Sequence, residues 1–398
     1  MKRRSSSQLT GKQFLPWTSL VCSVLLYALH FFVGGGRSKL INDSRAYLTM
    51  TDGASAGTPY DSRVFGPFIA SIIAFLSGIS SHSAFQILTV ASFIGGLLLI
   101  RKIIADQRGS FEWQAAVVLA LGCALAATFG YTPVMVDPLL LVLSCLTVLA
   151  LDRNYWWSVL VLSVLAALTK EYGLLLGLAG SVVAWRRNNR KFAILLTVLP
   201  CVVLLVAMVV GSDSKRPVLD TWNGFINAMF GYHKNLFEFR GAVQYFEILY
   251  MWAWSVLWPV LVIAAGLVFS RFGRHEKRTH HEIGFAFMLV AIPILLVGDW
   301  GRALLIIVPF ACAVATSHPL ARNASFAALL ALGGLSTALA RPFHSEYGVP
   351  RIFTLAMIAI SIASTVLIGL KTVRFAASST TPQLDPGLET PAPAVADR

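Results

Sequence analysis

Apolar residues fill this chain in blocks of about 15 to 25, broken by short polar stretches. The blocks are apolar all round, without the strict alternation of half-buried strands, so they predict buried or membrane-crossing helices. Candidate spans cover roughly 17–35, 83–102, 113–130, 136–152, 155–169, 172–186, 191–211, 246–270, 283–298, 301–318, 323–340 and 352–371. The pattern predicts an all-α fold, a polytopic transmembrane helical bundle of about 12–13 helices. One further apolar segment, Val64 to Ile79, is short. It either crosses or lies along the interface.

Charge orients the bundle. Loops rich in Lys and Arg face the cytoplasm. Here these are the N-terminus, Arg101-Lys102 with Arg108, Arg186-Arg187 with Arg190-Lys191, and Arg271 through Arg278. With twelve spans all four fall on one side, provided Val64–Ile79 does not cross. Residues 36–82 then form a first outer loop with a juxtamembrane helix, residues 212–245 form a second long outer loop, and both termini are cytoplasmic. The basic N-terminus and the apolar run after it look like a signal peptide, but no clear small-x-small site follows, so an uncleaved first helix is expected. Residues 1–376 read as one membrane domain, and the Thr/Pro/Ala-rich stretch 377–398 as a disordered cytoplasmic tail.

Composition agrees: 56% of residues are hydrophobic and 13% charged. So little charge does not cover the surface of a soluble protein of this length. The net charge of +13 raises the question of nucleic acid. No basic patch is interleaved with exposed aromatics, so cytoplasmic loops beside anionic lipid explain it, and no nucleic-acid partner is expected. Cys22, Cys123, Cys145, Cys201 and Cys312 all lie inside apolar runs and imply no disulfide framework. No His and carboxylate spacing suggests a metal site, so neither metal nor cofactor is expected.

Ionisable residues beside apolar runs are costly and point to function. Asp43 follows the first helix, and in a helix it shares a face with Tyr47; as a plain loop residue it is a helix cap. Arg63 directly precedes an apolar helix opened by Pro67, placed to bind phosphate or to reach lipid headgroups. Asp61 shapes the Pro-Tyr-Asp-Ser turn. Asp137 precedes Pro138 and a Leu-rich helix, either as an acid at a cavity mouth or as a simple cap. Lys170 and Glu171 lie between two short apolar runs and so sit close to the hydrocarbon edge, unless they form an exposed turn. Asp299 and Arg302 flank Trp300 in another outer turn, as a functional pair or as part of an aromatic belt. The loop 212–245 adds His233 and Arg240 to the same face; a His there is more often solvated than a ligand.

The order of these motifs resembles that of the polytopic GT-C glycosyltransferases, particularly the bacterial branch of protein O-mannosyltransferases and the lipid A aminoarabinose transferase. The similar elements are Asp43, then Arg63 with Pro67; Val-Asp137-Pro-Leu-Leu-Leu; Leu-Thr-Lys170-Glu171-Tyr-Gly; and Asp299-Trp-Gly-Arg302 with Pro309. The first outer loop departs from the family pattern in having one clear acid rather than a pair.

The resemblance implies a transferase in the bacterial inner membrane that takes a sugar from a polyprenyl-phosphate donor. The acceptor is a hydroxyl of a glycan, lipid or protein. Asp43 and Asp137 would be the catalytic acids, and Arg63, Lys170 and Arg302 would hold the donor phosphate. Tyr47, Glu171, Asp299, His233 and Arg240 would contact substrate. Two other classes fit intramembrane charge: a transporter or flippase of a lipid-linked or anionic solute, and a polysaccharide polymerase or ligase.

Overall fold

The computed structural model describes residues 6–33, 42–57, 60–130, 133–211, 282–284, 286, 304–316, 319–343 and parts of 356–371. Among the described residues all regular structure is helical, as the all-α reading expects. The helices are α1 (Ser6–Val33), α2 (Asn42–Thr51), α3 (Phe65–Ser77), α4 (Ser81–Asp106) and α5 (Phe111–Leu125). They continue with α6 (Asp137–Asp152), α7 (Trp156–Thr169), α8 (Leu174–Arg186), α9 (Arg190–Gly211), α10 (Val308–Thr316) and α11 (Ala324–Phe343). The candidate span 246–270 and most of 283–298 lie outside the described residues, as does the loop 212–245.

Helix starts follow local chemistry. Ser80 caps α4 by accepting from the Ser83 amide at 3.2 Å, and Ser110 caps α5 by accepting from the Trp113 amide at 3.1 Å. Pro138 in the first turn of α6 suits a position whose amide needs no helical partner. Gly78 ends α3 in the left-handed conformation at φ 68°, which glycine adopts without steric cost.

Three helices among the described residues are long and apolar enough to cross a membrane: α1, α4 and α9. On α9, Ile194, Val198, Val202, Leu205 and Val209 are exposed at helical spacing, an apolar stripe suited to lipid. Between these long helices in the chain α5, α6, α7 and α8 are shorter, and α5 and α6 are largely buried. Small residues let the helices approach: Gly122 of α5 faces Ser23 of α1, and Gly334 of α11 faces Ala120 of α5. Polar side chains add cross-links, from Trp113 Nε1 to Thr316 Oγ1 at 3.1 Å and from Ser144 Oγ to the Ile306 carbonyl at 2.6 Å.

The two ends of the bundle differ in charge. At one end Lys12 pairs with Glu112, Lys102 and Arg153 with Asp106, and Arg187 with Glu282. Exposed Tyr155, Trp157 and Trp185 share that end, the mixture of cations and aromatic rings typical of a membrane–water boundary. The other end carries α2, α3 and the turns before α6 and after α7.

α3 does not run the length of the bundle. Its first turn packs near Phe85 in α4, where Gly66 also meets Val136. Its last turn leads through Gly78 to Ser80, the cap of the same α4 end. Both its ends therefore stay at one end of the bundle. Buried Gly66, Pro67 and Ala70 face the protein, while Phe68, Ile72, Phe75 and Leu76 are exposed. This is the arrangement expected of an interfacial helix.

Single cysteines in a cysteine-free chain test this placement. Ser55→Cys and Ser77→Cys, on either side of α3, should react with an impermeant maleimide from the same membrane face. Tyr155→Cys should react from the opposite face. Labelling of Ser55→Cys and Ser77→Cys from different faces would mean that α3 crosses.

Candidate functional site

The site is assembled from three short segments that helix ends hold in place. The first is α2, where Asp43 and Tyr47 share a face as a four-residue spacing requires. Ser44 Oγ donates to the Val134 carbonyl at 3.0 Å, tying α2 to the segment that leads into α6. Tyr47 is fully buried and stacks on Phe85 of α4 at 5.8 Å.

The second segment is the turn before α3. The Asp61 carboxylate accepts from the Ala56 and Gly57 amides at 2.8 and 3.1 Å, and from Ser55 Oγ at 2.9 Å. It thus shapes the turn, the role its position suggests, and frees Tyr60 and Arg63 to face α2. Tyr60 donates its hydroxyl to Asp43 Oδ1 at 2.7 Å.

The third segment is the break between α7 and α8. Lys170 is extended (φ −162°, ψ 145°) and stops α7; Glu171 to Gly173 make one tight turn before α8. A side chain at position 173 would collide with the backbone of Ala166 and Ala167, so the hairpin closes this tightly only with glycine there. Lys170, Glu171 and Tyr172 are all buried. α7 has 14 residues and so rises about 21 Å, against a hydrocarbon core of about 30 Å. Since α7 starts at the aromatic boundary of the opposite end, the break lies below the membrane surface.

Two buried ion pairs hold the site together, one joining the second and third segments and the other tying the third to Asp137 at the start of α6. Arg63 Nε donates to Glu171 Oε1 at 2.7 Å, Arg63 Nη1 to the Tyr47 hydroxyl at 3.1 Å, and Ser62 Oγ to Glu171 at 3.3 Å. Burial by itself would lower the Arg63 pKa, but the attraction of Glu171, aided by Tyr47, holds it well above its ordinary value. Lys170 Nζ donates to Asp137 Oδ1 at 2.8 Å, and the Tyr172 hydroxyl reaches the same oxygen at 2.9 Å. Asp137 is 0% exposed. Its carboxylate serves this pair; no cap hydrogen bond from a side chain occurs at the start of α6.

The structure therefore gathers Asp43, Tyr47, Arg63, Asp137, Lys170 and Glu171 at one end of the bundle. His233, Arg240, Asp299 and Arg302 lie outside the described residues. Tyr60 and Tyr172 take part in the site without having been singled out from the sequence. Both stand inside motifs already notable for charge, Pro-Tyr-Asp-Ser and Lys-Glu-Tyr-Gly, and that neighbourhood was the available signal. No group of three or more His, Cys, Asp or Glu suited to a metal occurs among the described residues.

Removing one member of a buried ion pair strands the other and costs about 3–5 kcal/mol. Lys170→Met should thus lower thermal stability in detergent sharply. The double variant Lys170→Met/Asp137→Leu should recover much of that loss, since neither charge then stands without the other. Fluorescence-detected melting of the two proteins checks this. Equal stability would mean that Asp137 finds another partner.

No curated protein and no solved structure matches the chain. The family model of Glycosyltransferase family 87, a family of the GT-C type, matches residues 64–298. The match begins one residue after Arg63 and takes in Asp137, Lys170 and Glu171. It carries the GT-C type and transferase activity; the narrower aminoarabinose-transferase branch rests on motif resemblance alone. With more than half of its 398 residues matched, and with charged side chains gathered at one end of a helical membrane bundle, the chain belongs to Glycosyltransferase family 87.

Proposed function

We propose that this glycosyltransferase takes its sugar from a polyprenyl-phosphate donor and transfers it to a hydroxyl of a cell-envelope glycan, lipid or protein on the outer face of a bacterial inner membrane. The observation that carries the reading is the segregation of charge. Acids and cations meet at one end of the bundle, while the pairs at the other end are rimmed by excess Arg and Lys. By the positive-inside rule the basic end is cytoplasmic, and the mixed site then faces outward.

A lipid-linked donor enters sideways, with its phosphate at headgroup level and its chain among the helices. Arg63 suits the phosphate. Its Nε and Nη1 are engaged by Glu171 and Tyr47, which fix the plane of the guanidinium. Its Nη2 makes no hydrogen bond among the described residues, which leaves one edge for an anion. Preorganised cations in a dry site are well placed to offset charge developing on a leaving phosphate. Lys170 adds to that field from the floor of the site, and Arg302 is assigned to the same task by its motif.

Asp43 is half-buried at the outer end and would take the proton from the acceptor hydroxyl as general base. The sugar–phosphate bond breaks as the acceptor oxygen attacks, the pair of electrons leaves with the phosphate, and the proton goes to Asp43. Asp137 keeps its assignment as the second catalytic acid, orienting sugar or acceptor or assisting Asp43, and its bonds to Lys170 and Tyr172 hold those side chains beside it. Tyr47 and Glu171 act on substrate through Arg63; Asp299, His233 and Arg240 keep their assignment to substrate contact.

The transporter alternative needs essential charges at mid-bilayer, open in turn to both faces. The convergence of the charges at one end favours the transferase. The polymerase or ligase alternative makes Arg240 and Arg302 essential and Asp43 dispensable.

The tests use purified chain in proteoliposomes with radiolabelled hexoses and pentoses on undecaprenyl phosphate. Asp43→Asn should lower kcat at least 100-fold, the scale of a lost general base. Retained transfer would end the base assignment. Arg63→Ala should raise KM for the donor by tenfold or more while leaving acceptor KM in place. A change confined to the acceptor would remove Arg63 from the phosphate.

A further inference from the structure

Tyr60 occupies an unusual place between the two working groups of the site. Its hydroxyl donates to Asp43 Oδ1 at 2.7 Å. Its ring carries the Arg63 guanidinium at 5.0 Å from the centroid. The edge of Tyr47 meets the same ring at 6.1 Å and 89°, and Tyr47 in turn accepts from Arg63. One side chain thus touches the carboxylate assigned to the acceptor and the cation assigned to the donor. The Asp61 turn, closed by three hydrogen bonds, fixes the backbone next to it.

We infer that Tyr60 is a positioning residue that couples the base to the phosphate-binding cation: its hydroxyl holds Asp43 ionised and aimed, and its ring holds Arg63 in plane. This rests on the reading of Asp43 and Arg63 given above.

A hydrogen bond donated to a carboxylate favours its charged form. Tyr60 therefore keeps Asp43 in the form that accepts a proton. The Tyr60 hydroxyl faces Asp43 directly, Arg63 and Tyr47 pack on the Tyr60 ring, and Glu171 stands behind Arg63. The ring works by a separate route. A guanidinium over an aromatic face is attracted to it, and two aromatic contacts with one hydrogen bond leave little freedom to tilt.

Two substitutions separate the roles. Tyr60→Phe keeps the ring and removes the hydroxyl; Tyr60→Leu removes both. The first readout needs no sugar. Dicyclohexylcarbodiimide reacts with protonated carboxyl groups, and mass spectrometry of the purified full chain follows its addition to Asp43 against pH. Tyr60→Phe should move the labelling midpoint up by about one pH unit, the effect of one hydrogen bond of ordinary strength. An unchanged midpoint overturns the inference.

The second readout is transfer from the undecaprenyl-phosphate sugars. Tyr60→Phe should lower kcat about tenfold, shift the acid limb of the rate profile upward, and leave donor KM unchanged. Tyr60→Leu should do the same and also raise donor KM. A merely structural Tyr60 would instead lower the yield of active protein in both variants without moving the acid limb, and that result also overturns the inference. The outcome is distinct from failure of the base reading. If Asp43→Asn stays active, Asp43 is not the base, yet its labelling midpoint still reports whether Tyr60 holds it.

Discussion

The site depends on a helix that stops early. α7 ends at Lys170, an extended residue 2% exposed, well short of the length a full crossing needs. An ammonium in that position is made tolerable by the Asp137 carboxylate and by the Tyr172 ring, whose centroid is 4.8 Å away. From this pair the rest follows. Asp137 ties the start of α6 to the α7–α8 break, and Glu171, the next residue, extends the tie to Arg63 and the first outer segment. A chain of contacts thus runs from the bundle floor through Glu171 and Arg63 to Tyr60 and Asp43. Asp137 and Asp43 lie at opposite ends of that chain, one fully buried and one half-buried.

The division of labour among carboxylates is a consequence of burial. Asp137 and Glu171 each face a cation at hydrogen-bonding distance, so in the described site their charge is spent on cohesion. Asp43 accepts from the Tyr60 hydroxyl and is only half-buried. On the proposed reading, that lesser burial suits Asp43 to proton transfer. The cations show the same contrast. Lys170 is enclosed at 2% exposure, whereas the planar fork of Arg63 keeps 11%.

Much of the fold was legible because apolar blocks and their polar breaks are local signals. The starts of α4, α6, α7 and α9 fall within about two residues of the sequence reading. The short segment Val64–Ile79 could not be placed from its composition, since a helix of that length suits either fate. Its placement came from Gly66 against Val136 and from the Ser80 cap, contacts that no local window contains. Charge made the site partly legible, as Asp43, Arg63, Asp137, Lys170 and Glu171 stood out against apolar surroundings. The pairing did not: Arg63 with Glu171 and Lys170 with Asp137 join residues 108 and 33 positions apart. Tyr60 and Tyr172 stayed hidden because a phenol in an aromatic-rich membrane protein attracts no notice until its hydroxyl has an address.

The order in which the paired residues are synthesised bears on how the chain enters the bilayer. Arg63 leaves the ribosome long before Glu171, and Asp137 before Lys170. A lone charge at the centre of an inserting helix costs about 2.5–3.5 kcal/mol. By the time the short α7–α8 hairpin emerges, the countercharges for both of its polar residues are already on the nascent protein. The hairpin therefore has partners waiting, and the two ion pairs that close the finished site also ease its insertion.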